Sequence, residues 1–155
     1  IGGPCRQMIG PDRLEGRICY DDLATGGAII IFNRARNRLE IAEHYLDFFI
    51  EESCGYCTPC RVGLTLLKNL VHKVIDGAGE PSDLVEMRNL SNFIINTSRC
   101  GLGQAAPNPV LGALEIGDLS AGFVAERKPG LLPGFDLSKA VIDAELRVGR
   151  QSKYV

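Results

Sequence analysis

From Arg38 the apolar positions fall into a helical rhythm. Leu39, Ala42, Tyr45, Leu46 and Phe49 recur at spacings that share one face, while Arg38, Glu40, Glu43 and Asp47 fall largely elsewhere on the wheel, so the pattern predicts an amphipathic helix. Tyr45, Phe48 and Phe49 read as core aromatics. A second helix is expected over residues 59–76, with Val62, Leu66, Leu67, Leu70, Val71 and Val74 as its stripe and Gly77 as its stop. Ser82 is a good N-cap for a third, carried by Leu84, Met87, Leu90, Phe93, Ile94 and Ile95 to about residue 97. Asn108-Pro109 signals a cap followed by a first helical position and opens a fourth helix through Leu111 and Leu114, on toward Phe123. Short helices with brief connections predict a mainly α protein, a four-helix bundle over residues 37–127.

The flanks read differently. Residues 1–36 are rich in Gly, Pro and charge, with turn signals at Ile1-Gly2-Gly3-Pro4 and Gly10-Pro11-Asp12. Gly26-Gly27 leads into Ala28-Ile29-Ile30-Ile31-Phe32, an apolar run that predicts a buried strand. Neither glycine pair stands in the G-x-G-x-x-G context of a nucleotide-binding turn. At the other end, Lys128-Pro129-Gly130-Leu131-Leu132-Pro133-Gly134 leaves the bundle as an extended arm, and Asp136 caps a last helix over residues 137–150. Residues 128–155 are expected to dock on a partner, with packing on the parent chain as the other reading.

A chain of 155 residues suffices for one compact domain. Its formal net charge of −2 and lack of a basic stripe argue against a nucleic-acid partner. The longest pure apolar run, residues 28–32, is far too short to cross a bilayer, and no secretory leader is read. An opening Ile1 in place of Met leads to the expectation of a fragment or a processed start. Six cysteines without a leader suggest a reducing cytoplasm.

The cysteines carry the chemistry. Cys54, Cys57 and Cys60 stand at intervals of three residues, and Cys100 follows downstream in Ser98-Arg99-Cys100-Gly101-Leu102-Gly103. C-x2-C-x2-C is the compact half of a ferredoxin-type ligand set, and a four-iron cluster needs one more thiolate, for which Cys100 is the candidate. Structural zinc usually takes separated ligand pairs, and neither His44 nor His72 has a partner at ligand spacing. A zinc-stapled helical interaction module without redox activity is the alternative reading, and a redox-sensing cluster a third. Gly55 can adopt positive φ where the chain loops over a cluster. Thr58-Pro59 reads as N-cap and first helical position, with Cys60 in the first turn. The second and third helices form an out-and-back pair that returns Cys100 to the start of the second. Arg61 stands equally as a counter-charge to an anionic cluster or as a solvated arginine. Adjacent Glu51 and Glu52 do not share a helix face and are not read as a catalytic pair. Cys5 and Cys19 read as isolated, partly buried residues outside the ligand set. No catalytic residue is assigned.

Glu52-Ser53-Cys54-Gly55-Tyr56-Cys57-Thr58-Pro59-Cys60-Arg61-Val62-Gly63, followed by a lone cysteine and a proline-started helix, resembles the C-terminal iron-sulfur region of the NADH-binding flavoprotein subunit family. That family includes the 51-kDa subunit of complex I and the diaphorase subunits of NAD-reducing hydrogenases. Ser98-Arg99-Cys100-Gly101-Leu102-Gly103 and Gly130-Leu131-Leu132-Pro133-Gly134-Phe135-Asp136-Leu137 look closest to the hydrogenase branch. The resemblance implies that residues 1–36 are the end of a β-grasp (ubiquitin-like) domain. It also implies a one-electron relay through a 4Fe-4S cluster, between FMN at an NADH/NAD+ site in an upstream portion and a small iron-sulfur subunit of an NAD-linked hydrogenase or dehydrogenase complex. Gly101 and Leu102 would neighbour the electron path. This segment alone, lacking a glycine-rich flavin loop, is not expected to turn over NADH.

Overall fold

The computed structural model describes residues 3–33, 35–116, 142 and 145–151. Its elements are α1 (Arg38–Glu51), α2 (Thr58–Arg61), α3 (Gly63–Ile75), α4 (Pro81–Thr97), α5 (Gly101–Ala105) and α6 (Asn108–Glu115), and no strand occurs among the described residues. The fold is mainly helical. Helix α3 packs against α1 and α4, and α6 packs against the same two helices.

Local chemistry sets the boundaries. Asn37 caps α1, its side-chain oxygen accepting from the Leu39 N–H at 2.9 Å. Helix α3 ends in a Schellman turn: Gly77 has φ +76°, its N–H donates to the Val74 carbonyl, and the Ala78 N–H donates to the Lys73 carbonyl. The expected cap at Ser82 is displaced to Glu80, because Pro81 occupies the first turn and Asp83 reaches back to accept from the Glu80 N–H at 2.6 Å. Lys73 on α3 pairs with the buried Asp83 on α4 at 2.9 Å, tying the α3–α4 connection.

Between the helices lies a single apolar cluster in which Ala42 and Leu46 of α1, Leu64, Leu67 and Val71 of α3, Met87 and Ile94 of α4, and Val110 and Ala113 of α6 are sealed from solvent. This differs from the stripe expected for the second helix. Val62, between α2 and α3, keeps helical dihedrals, and the buried face runs through Cys60, Leu64, Leu67 and Val71, while Val62 and Leu66 at its flank are 42% and 50% exposed. Phe93, also expected inside, joins Leu66, Leu70 and Leu90 along a surface cleft between α3 and α4. Phe48 is likewise exposed, and Phe49 takes the core position.

Residues 28–32 form no regular element and are not buried, with Ile31 91% exposed. A strand forms only where another edge receives its backbone hydrogen bonds, and none is offered among the described residues. The preceding segment is held by turns, by an Arg13–Asp22 ion pair, and by a close approach of the Met8 backbone to α6. A Cβ at Gly112 would stand 2.6 Å from the Met8 nitrogen, so glycine is required for that contact. Asn108 donates from Nδ2 to the Cys5 carbonyl at 2.9 Å. The expected run of the fourth helix toward Phe123 and the 128–136 arm lie outside the described residues. Of the final helix, residues 142 and 145–148 are helical.

Leu67→Ala should lower the unfolding free energy by about 2–5 kcal/mol in a urea titration, whereas Leu66→Ala should change it by about 0.5 kcal/mol or less. The Lys73 ammonium, then the Glu80 N–H, hold the Asp83 carboxyl below its ordinary range. Its stabilising contribution is therefore present above that range and lost as pH falls through the depressed value. Thermal melts between neutral pH and pH about 3 should show a shallower acid loss of stability in Asp83→Asn than in the parent protein.

Candidate metal centre

Helix α1 delivers the chain into a tight loop. Gly55 takes φ +72° there, a backbone state costly for a residue with a Cβ. Its N–H donates to Ser53 Oγ at 3.2 Å, and the same hydroxyl lies 3.2 Å from Cys60 Sγ. With its oxygen accepting from Gly55, the Ser53 hydroxyl has its hydrogen free for the sulfur. Arg61 closes the loop by donating from Nη1 to the Gly55 carbonyl at 2.9 Å. Of the two readings of Arg61, the structure therefore gives it a third, specific partner in the loop backbone.

The start of α2 is shifted by one residue from expectation. Cys57 is the N-cap, with extended φ −101° and ψ 138°, Thr58 is the first helical residue and Pro59 the second. Cys60 falls in the first turn and is buried, Cys57 is half-buried, and Cys54 is exposed. On the other side, Ser98 ends α4 and Cys100, exposed, caps α5. The stretch after Cys100, read as a tight turn, is that short helix, with Gly101 exposed and Leu102 packed against the core. The same one-residue shift recurs at α6, capped by Pro107 with Asn108 inside the helix.

The two loops interlock. Arg99 donates from Nη1 to the Tyr56 hydroxyl at 3.2 Å, and its guanidinium carbon lies 5.0 Å from the Tyr56 ring centroid. Backbone N–H groups, chiefly that of Arg99 and then that of Cys60, hold the Cys57 thiol below the usual thiol range. Burial pushes the Cys60 thiol up; the Ser53 hydroxyl offsets part of this, and the charges of Cys57, Cys100 and Cys54 raise it further. The other three expected thiols thus act on Cys60 across the meeting of the two loops. Gly103 fits between them: a Cβ there would meet Ser98 Oγ at 2.5 Å and Cys60 Cβ at 3.3 Å.

Cys5 and Cys19 lie in the N-terminal segment and are exposed, contrary to the partly buried positions expected of them. Among the described residues, no three His, Cys, Asp or Glu side chains converge to hold a single metal ion. A lone zinc draws its sulfurs to about 2.3 Å from one centre, whereas a cubane spreads four thiolates over separate corners. Two of the four expected thiols, Cys60 and Cys57, have hydroxyl or amide donors beside them, a donor set suited to an anionic group. Sequence reasoning missed Ser53, Tyr56, Ser98 and Arg99 as parts of this centre. Serine followed two residues later by a glycine was a legible turn signal at Ser53. The other three act across loops that only the α3–α4 return brings together.

Residues 40–116 match a family model described as the NADH-ubiquinone oxidoreductase-F iron-sulfur binding region. The chain is 41% identical over 143 residues to the NAD-reducing hydrogenase HoxS subunit alpha of Cupriavidus necator, covering 91% of this chain and 24% of that protein. It is 33% identical over 120 residues to the NADP-reducing hydrogenase subunit HndC of Solidesulfovibrio fructosivorans, covering 74% of this chain and 24% of that one. A crystal structure of an NAD+-reducing NiFe-hydrogenase in the H2-reduced state superposes with a TM-score of 0.70 at 27% identity, covering 99% of this chain and 27% of its own. The chain thus spans about a quarter of the length of these relatives.

Gly103→Ala should force Ser98 and Cys60 apart and destabilise the protein by about 1–3 kcal/mol, read by chemical denaturation. Gly55→Ala should cost about 1–2 kcal/mol from its positive φ alone.

Proposed function

Because the chain belongs, through residues 40–116, to the NADH-ubiquinone oxidoreductase-F iron-sulfur binding family, we propose that it holds one 4Fe-4S cluster on Cys54, Cys57, Cys60 and Cys100 and relays single electrons. The observation that carries this reading is that Cys57 and Cys54 from one loop and Cys100 from the other all lie close enough to Cys60 for their charges to act on it, inside the matched region. A cubane bound there supplies one-electron transfer. The chain's own residues give it four thiolates, a hydroxyl donor at Ser53 and backbone donors at Cys57, and such donors favour the more negative, reduced state. Arg61 braces the cysteine loop through the Gly55 carbonyl. Leu102 and Gly101, immediately after the fourth thiol, border the electron path.

On this reading α1, α3, α4 and α6 are the four members of a bundle built to carry the cluster. The exposed 28–32 run is the closing strand of a β-grasp domain whose other strands lie in further parts of the subunit. Such a subunit binds FMN and NAD in portions beyond these residues and exchanges electrons with a small iron-sulfur subunit of an NAD-linked oxidoreductase complex in the cytoplasm. The 41% identity to a hydrogenase subunit favours a hydrogenase as that complex. No helix among the described residues is long and apolar enough to cross a membrane.

Anaerobically purified protein should contain about four irons and four acid-labile sulfides and give an S = 1/2 EPR signal after dithionite reduction. Cys100→Ala and Cys57→Ala should abolish that signal. Stoichiometric zinc without sulfide would overturn the relay and leave a structural interaction module.

A further inference from the structure

Two buried hydroxyls among the described residues have no protein partner, Ser91 Oγ on α4 and Ser98 Oγ at its end. They differ in surroundings. Ser91 sits within α4, two helical turns before Ser98 and so about 10 Å along the axis. Ser98 is 6% exposed, ends α4 two residues before Cys100, and faces the same Gly103 that faces Cys60. The Ser98 carbonyl is satisfied by Gln104 Nε2 at 3.0 Å, so its backbone is fixed while its hydroxyl is left over. Gly103 is compatible with this arrangement only because it lacks a Cβ, which would stand 2.5 Å from Ser98 Oγ.

Leaving a hydroxyl buried without an acceptor is costly, and native proteins seldom do so without reason. Ser98 Oγ has no bond to the Cys60 sulfur itself, and the acceptors that the proposed centre would add beside Cys60 are the sulfides of the cube. We infer that Ser98 Oγ donates a hydrogen bond to a sulfide of the cluster near its Cys60 corner, in addition to the donor that Ser53 supplies to Cys60. The inference rests on the cluster reading above and deepens it. The proton stays on the oxygen in both oxidation states. Because the reduced cluster carries one more negative charge, the hydrogen bond strengthens on reduction and raises the reduction potential.

The test is an EPR-monitored redox titration of the anaerobically prepared, cluster-loaded full-length subunit, carried out on the parent protein, Ser98→Ala, Ser98→Cys and Ser91→Ala. At a fixed potential the reduced-to-oxidised ratio should fall about threefold to tenfold in Ser98→Ala, tenfold being about 59 mV for a one-electron couple. Ser98→Cys, a weaker donor of similar size, should shift in the same direction by less. Ser91→Ala, which removes an equally buried hydroxyl away from the cysteines, should leave the potential where it was. If Ser98→Ala does not retain the cluster, the Ser98→Cys shift decides by itself. An unmoved potential in the Ser98 variants, or an equal shift in Ser91→Ala, would overturn the inference while leaving the cluster in place, and would assign the hydroxyl to a buried water. Parent protein without iron and sulfide would overturn the cluster reading, and this inference with it.

Discussion

Packing of α3 against both α1 and α4 brings the two cysteine-bearing loops to the same end of the helices. Leu64, Leu67 and Val71 of α3 are sealed from solvent, as are Leu46 on α1 and Met87 and Ile94 on α4. Each full burial of this kind contributes on the order of 2 kcal/mol, and together such contacts fix where α3 begins and where α4 ends. Cys60 lies just ahead of the first point and Cys100 just beyond the second. The proposed chemistry therefore depends on an apolar core that contains only one of the four proposed ligands, Cys60.

Charge sets the second constraint. Burial disfavours charge on Cys60, and the charges of Cys57, Cys100 and Cys54 disfavour it further. Donors are placed to compensate. Ser53 serves Cys60, while the Arg99 and Cys60 amides serve Cys57, so neighbouring thiols are pushed in opposite directions. The Arg99 side chain meanwhile rests on Tyr56, joining the loop that bears three cysteines to the loop that bears one. An apolar core alone would not resist the repulsion at its rim; these polar contacts close it.

Much of this was legible in the chain because it depended on near neighbours. Gly55 and Gly77 both adopt the positive φ that their context demanded, and α1 begins after Asn37 and α4 ends at Thr97 as the periodicity indicated. The cap signals were right in kind and late, by one residue at α2 and α6 and by two at α4, where the residues expected as caps are already helical. Leu66 and Phe93 escaped because a helical wheel cannot tell a stripe that faces a core from one that faces a surface cleft. Val62 escaped because it lies, with Leu66, on the flank of the buried face that runs through Cys60, Leu64 and Leu67. The Ala28-Ile29-Ile30-Ile31-Phe32 run has strong strand composition, yet pairing needs an edge that no local pattern supplies. Ser98 and Arg99 acquire their roles only through long-range closure, which local pattern reading could not show.

Closing a flexible loop between Cys60 and Cys100 would carry an entropy penalty that grows with the logarithm of its length. The α3–α4 hairpin meets that penalty in advance, being pinned at its far end by the Gly77 turn and the Lys73–Asp83 pair. In the language of chelation, the proposed fourth thiol, Cys100, would be a tethered ligand at high effective concentration, not one recruited from a wandering segment. A metal centre assembled on such a frame gains its last bond from rigidity located a helix length away.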